Sequence, residues 1–148
     1  MFYEDIEVGH SVRVGSYRVD ADDIVSYARR WDPLPVHVDE AAARRTMFGG
    51  LTASGSHTLA IRTLLLHRVP IQDGVIAAGG WDEVRFHAPV RPGDELSLEV
   101  TWLAKRRSAS KPDRGIVTAL MKLLNQESAV VLSHKDTIFM RLRNPEGV

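Results

Sequence analysis

The chain has 148 residues, 44% of them hydrophobic and 26% charged; 19 basic residues balance 19 acidic ones, and there is no cysteine. That length fits one domain over residues 1–148 with an ordinary buried core, while zero net charge means that nothing marks a nucleic-acid footprint or a basic membrane face. The missing cysteines exclude disulfides, thiolate zinc sites and thiol nucleophiles; with no signal-peptide pattern in the acidic residues 1–10 and no bilayer-length apolar run, a cytoplasmic protein without membrane or nucleic-acid partners is expected.

In chain order, Val12, Val14, Tyr17 and Val19 predict a first strand, bent near Gly15. Asp20 is placed to cap a helix, with Asp22 and Asp23 in its first turn and Arg29 and Arg30 at its end. Ile24, Tyr27, Ala28 and Trp31 recur at helical spacing and predict one buried stripe. The next stretch, residues 31–55, reads WDPLPVHVDEAAARRTMFGGLTASG. Pro33 and Pro35 fix their own φ and push the residues before them out of the helical region, so the segment reads as stiff and extended.

Asp39 and Glu40 then open a short helix that closes on Arg44 and Arg45. Asp39 is better explained as its cap than as a catalytic group. Residues 46–54 read as loop because of Gly49 and Gly50. Residues 56–69 (SHTLAIRTLLLHRV) are apolar on most sides, which predicts a helix wrapped by the rest of the fold. Pro70 and the Asp73-Gly74 turn end it. From there the period changes to two. Val84, Phe86 and Ala88 alternate with polar residues, and after the Pro92-Gly93-Asp94 turn so do Leu96, Leu98, Val100 and Trp102. Residues 105–114 read as a polar loop, and residues 115–124 and 129–142 as two long strands. The fold class is α+β, with an antiparallel sheet wrapped around a long central helix.

Asp32 and His37 stand five residues apart across the prolines. An imidazole suits proton transfer near neutral pH, and a carboxylate orients it or handles the second proton, so the two can act as a general acid–base pair around one water. Gly55 opens the central helix, where backbone N–H groups lack intrahelical partners, and is a candidate oxyanion donor. A glycine there lets a carbonyl approach the backbone closely. Plainer readings stand beside these: Asp32 as a turn residue bonded to local backbone, and His37 as a partly buried polar side chain. No metal is expected, because Asp32, His37 and Asp39 have no second cluster to complete a ligand set.

These residues resemble the MaoC-like acyl dehydratases, the (R)-specific enoyl-CoA hydratase branch of the hotdog fold. The family's motif of Asp, four residues and His is matched by Asp32-Pro33-Leu34-Pro35-Val36-His37. The Phe48-Gly49-Gly50 turn, the Ala53-Ser54-Gly55 helix start, Val84-Arg85-Phe86 with residues 89–94, and Asn125-Gln126 follow in the family's order. The resemblance covers roughly residues 3–143. It implies that Asp32 and His37 hold a water that adds across the 2,3 double bond of an enoyl thioester, or leaves in the reverse reaction. It also implies that Gly55 N–H polarises the thioester carbonyl, and that Ser54 and Thr63 belong to the oxyanion and substrate-binding set. The substrate implied is a small-molecule acyl thioester, a CoA thioester, with no cofactor. A homodimer or a dimer of dimers follows from the same likeness, and exposed edge strands favour such pairing physically. Leu34 departs from the Asn that many hydratases carry in this loop. Ser54 stands where other members often have histidine, and His57 reads as helix packing or pocket lining. Arg85 and residues 105–107 can meet CoA phosphates or simply be solvated, and they stay outside the site. Two other readings use the same fold: a thioesterase, against which the central helix offers no acid, and a non-catalytic acyl-CoA-binding subunit.

Overall fold

A computed structural model describes residues 1–145. After a 3-10 turn (Tyr3–Asp5) come β1 (Ser11–Arg18), α1 (Ala21–Trp31), α2 (Pro35–Val38), α3 (Glu40–Arg44), α4 (Gly55–Leu66), β2 (Val75–Phe86), β3 (Glu95–Arg107), β4 (Arg114–Leu124) and β5 (Val130–Arg141). The strands form one antiparallel sheet in the order β1-β3-β4-β5-β2. Alternation along each strand decides which face meets the helix. Leu96, Leu98, Val100 and Trp102 of β3, with Val117, Ala119, Met121 and Leu123 of β4, are buried in one core with Ile61 and Leu65 of α4. A one-residue slip would turn each of these rows to solvent, so the apolar alternation sets the register. This is the α+β arrangement expected, a sheet curved around one helix.

Several local expectations are corrected. Residues 31–38 are not extended: Pro35 occupies the first turn of α2, where its fixed φ suits a helix and its missing N–H leaves nothing unpaired. Trp31 is not buried, being 63% exposed on the last turn of α1; Ile24 and Ala28 form the buried stripe. The strand expected near Val84 begins at Val75, because residues 77–80 (AAGG) carry no alternation to read. β3 runs on through Arg107, since backbone pairing with Gly115, Ile116 and Val117 of β4 holds the basic residues 105–107 in the ladder. α4 is not enclosed all round. Ser56, Ala60 and Leu64 lie on an exposed stripe, with Leu64 52% exposed.

β2 is the irregular strand. Its pairing with β5 shifts register in three places, and Glu83 there has a positive φ of 54°. Such bulges bend a strand; β2 is an edge strand, and its Phe86 and Trp81 side chains reach Gly55 and Arg62 of α4. Among the described residues, no helix is long and apolar enough to cross a membrane.

Candidate active site

Asp32 follows α1 as its C-cap, its N–H bonded to Ala28 O at 2.8 Å. Leu34 N–H then bonds to Asp32 O, and His37 N–H bonds to Leu34 O at 2.9 Å. These turns reverse the chain within five residues and fold His37 back toward Asp32. His37 Nε2 lies 3.7 Å from Asp32 Oδ2. That is too long for a direct hydrogen bond, and it leaves both atoms able to bond to one small group between them. The His37 side chain is 11% exposed, while the Asp32 side chain is 35% exposed at the rim.

The backbone settles which nitrogen of His37 is available. Nδ1 lies 2.6 Å from Thr52 O. A carbonyl only accepts, so Nδ1 carries the proton, and in the neutral ring Nε2 keeps its lone pair facing Asp32. The Thr52 hydroxyl is 3.4 Å from the same nitrogen and adds little. Thr52 is held in place in turn, its N–H bonded to Val36 O at 3.3 Å and the next N–H, of Ala53, to Val90 O at 2.8 Å.

His37 and Thr52 line a cavity of about 520 Å³ together with Gly55, Thr58, Phe86 and His87. Gly55 is the first residue of α4, and its N–H has no acceptor within the helix. The need for glycine has a cause beyond substrate approach. A Cβ built on Gly55 would stand 2.8 Å from the tip of the Phe86 ring, so a side chain there requires that ring to shift. Phe86 is itself 54% exposed.

The other expected residues fall in different places. Ser54 is fully buried and caps α4, its Oγ accepting from His57 N–H at 3.1 Å. Thr63 is two turns further along α4, bonded through Oγ1 to Leu59 O at 3.0 Å, and it lines a second cavity instead. Asp39 caps α3, accepting from Ala42 N–H at 3.0 Å. His57 stacks on Tyr27 with ring centres 4.4 Å apart, and burial holds its pKa below the usual value while Asp23 opposes that shift. Arg85 turns back onto Val84 O. Lys105 bonds to the carbonyls of Tyr3 and Glu4. The sheet row at the site runs Phe86–Leu132–Leu123–Leu98. Lys105 is therefore seven residues along β3 from that row, roughly 23 Å at about 3.3 Å per residue, and residues 105–107 belong to the far end of the sheet.

A second polar cluster escapes the sequence reading. Arg62 on α4 donates from Nε to His134 Nε2 at 2.7 Å and from Nη2 to Asp136 Oδ2 at 2.6 Å, and its guanidinium lies 4.9 Å from the Trp81 ring centre. Arg62, His134 and Asp136 are all at most 2% exposed. Burial lowers the pKa of Arg62 and raises that of Asp136, in each case outweighing the partner's opposite pull. His134 is pushed down to about 4, by burial first and then by the Arg62 charge, so it is neutral. The signal for this cluster was present: Leu132, Ile138 and Met140 set the inward parity of β5, and the same parity turns His134 and Asp136 inward. Arg62 is likewise the lone charge in the apolar run of α4. Among the described residues, no group of three or more His, Asp or Glu side chains is arranged to hold a metal ion.

Comparison with known proteins follows the same lines. Residues 5–122 match the family model described as MaoC like domain. The uncharacterized protein YdeM of Bacillus subtilis is 32% identical over 142 residues, covering 95% of this chain and 99% of that protein. The 3-hydroxybutyryl-CoA dehydratase of Methylorubrum extorquens is 31% identical over 115 residues, covering 75% and 71%. The crystal structure of the MaoC-like dehydratase from Rhodospirillum rubrum superposes with a TM-score of 0.91 at 42% identity, covering 97% of this chain and 99% of that one. The sheet wrapped on α4 is thus a hotdog fold, and the chain belongs to the MaoC-like dehydratase family.

Proposed function

We propose that the protein is a hydratase or dehydratase acting on the 2,3 double bond of an enoyl thioester, with enoyl-CoA as substrate and Asp32 and His37 as the groups that activate water. The observation that carries this is the His37 ring. Its Nδ1 is tied to a backbone carbonyl, and its Nε2 is aimed across 3.7 Å at a carboxylate inside a cavity. In the hydration direction the pair takes one proton from a water, and the hydroxide oxygen bonds to Cβ. The π electrons move onto the thioester carbonyl, whose developing negative charge is met by Gly55 N–H at the positive end of α4. The same pair returns the proton to Cα. Nothing is left over, and dehydration is the reverse path.

The active form proposed is a homodimer. β2 is a long edge strand bonded on one side to β5, residues 77–83 along it are exposed, and it carries the exposed Trp81 and Phe86. An edge of that length and character favours pairing with a second copy. The thioesterase reading finds no support in α4, which carries no acid.

The test is hydration of crotonyl-CoA followed by loss of enoyl absorbance, alongside a thiol-release assay, for the native chain and for Asp32→Asn and His37→Ala. Loss of a general acid–base group is expected to lower kcat by roughly 10²–10⁴-fold. Thiol release that survives both substitutions would overturn the reading.

A further inference from the structure

The acid and the imidazole of the candidate pair are held by different means. His37 is tied through Nδ1 to Thr52 O, three residues before α4 begins at Gly55. Among the described residues, no hydrogen bond joins Asp32 to α4 or to the loop before it. Asp32 sits on the end of α1, its N–H on Ala28 O at 2.8 Å. Its place relative to His37 and Gly55 is therefore set by whatever holds that end of α1.

The first half of α1 is anchored at Ile24, which is fully buried in the core, and at Asp23, whose Oδ2 accepts from the Tyr17 hydroxyl at 3.2 Å. Asp32 lies eight residues beyond Ile24, roughly 12 Å along the axis. A helix pinned only at Ile24 can pivot, and a tilt of about 5° would move Asp32 by about 1 Å. A misplacement of that size costs on the order of a hundredfold in rate. Nearer the acid, Ala28 is buried but offers only a methyl group. Tyr27 makes the contact that has a defined orientation. Its ring lies flat on His57, with centres 4.4 Å and planes 9° apart, and aromatic pairs favour particular relative orientations. His57 is buried on the first turn of α4, two residues past Gly55. Its Nδ1 is also buried and has no hydrogen-bond partner among the described residues. An unpaired buried polar atom destabilises a fold, so what this ring supplies is its flat face.

We propose that the Tyr27–His57 stack is a positioning contact: it fixes the end of α1 on the start of α4 and so holds Asp32 at its working distance from His37. Both members of the pair are then referred to the same helix start, His37 through Thr52 and Asp32 through the stack. The role in turnover rests on the reading that Asp32 and His37 activate the water. Tyr27 and His57 act through Asp32 and not on the substrate.

The test uses the full chain and two readouts. The first needs no turnover. Heteronuclear NMR of the histidine side chains gives the His37 signals, identified by their loss in His37→Ala, and Asp32→Asn shows where they move when the carboxylate is removed. His57→Leu and Tyr27→Leu should each move them toward the Asp32→Asn positions. Tyr27→Phe and His57→Phe, which keep two flat rings in contact, should leave them near the native ones. The second readout is hydration of crotonyl-CoA. Each Leu variant should lower kcat by about a hundredfold with KM little changed, the pattern of a lost transition-state interaction. The double Leu variant should fall no further than either single one, because the contact is already gone. Native His37 signals in both Leu variants would overturn the proposal. So would losses that multiply in the double variant, or a loss in both Phe variants as large as in the Leu variants. Two Leu variants are used so that one that fails to fold leaves the other to decide. If the native chain does not hydrate crotonyl-CoA, the catalytic reading fails, while the NMR readout still decides whether the stack positions Asp32.

Discussion

At the scale of single residues, Gly55 and Ser54 are neighbours with opposite demands. Gly55 faces the cavity and touches Phe86, so a methyl group there must displace the ring into the space beside His37 and His87. The exposed ring can move, which keeps the stability cost small. Gly55→Ala is therefore expected to lower kcat/KM for an enoyl thioester by at least tenfold while moving Tm by only a few degrees, as steady-state kinetics and a thermal melt on one preparation will read. Ser54 is the reverse case. Its hydroxyl is fully buried and spent on capping α4. Ser54→Ala removes that cap, costs about 1 kcal/mol, and should lower Tm by about 2–8 °C. If Ser54→Ala instead cuts the rate a hundredfold with Tm unchanged, the side chain acts on substrate and not as a cap.

At the scale of elements, the segment from α1 to α3 shows how local rules brought the candidate pair together. Asp20 and Asp39 were legible as caps because acids precede, and arginines end, the segments they open, and both accept the expected N–H bonds. Asp39→Ala should therefore lower Tm by a few degrees, for a loss of about 1 kcal/mol, with the Asp32–His37 geometry intact, and circular dichroism with an activity assay will separate the two. The prolines were legible as breakers of α1, but not as the start of α2. Proline is equally at home in an extended segment and at a helix's first turn, and the choice here was made by the packing of residues 51–54 against α2 through Thr52 N–H and the His37 ring. β2 was half legible for a related reason. Its register is set by bulges against β5, which leave no alternation in residues 77–80.

At the scale of the whole molecule, the buried charges make stability depend on pH. His134 has a folded pKa of about 4, against 6.5 for the solvent-exposed imidazole of an unfolded chain. The unfolded state therefore takes up a proton that the folded state refuses between about pH 6.5 and 4. Stability is full above that window and falls as pH drops through it, by about 3 kcal/mol for this group. His57, also shifted down, acts in the same direction. Asp136 is shifted up and opposes them: the folded state binds its proton more readily, so this group adds stability as pH falls toward 3.8. Denaturant melts between pH 7 and 4 should show a net loss of stability across that range. His134→Gln keeps a hydrogen-bonding side chain without the titration and should flatten the slope; an unchanged slope would place the titrating group elsewhere.

The sequence by itself determined the fold class and the helix starts at Asp20, Asp39 and Gly55, and it supplied Asp32, His37 and Gly55 as the candidate acid, imidazole and backbone donor. Those rest on neighbours a few residues apart: proline geometry, capping acids and period-two alternation act within one turn or one strand. Only the tertiary structure decided what those residues face. The His37 tautomer comes from Thr52, fifteen residues away; the close contact at Gly55 comes from Phe86 on another element; and Arg62 meets Asp136 across 74 residues. Contacts of that range come from separate elements packing on one another: the loop before α4 on α2, and α4 against β2 and β5. No local periodicity encodes that packing.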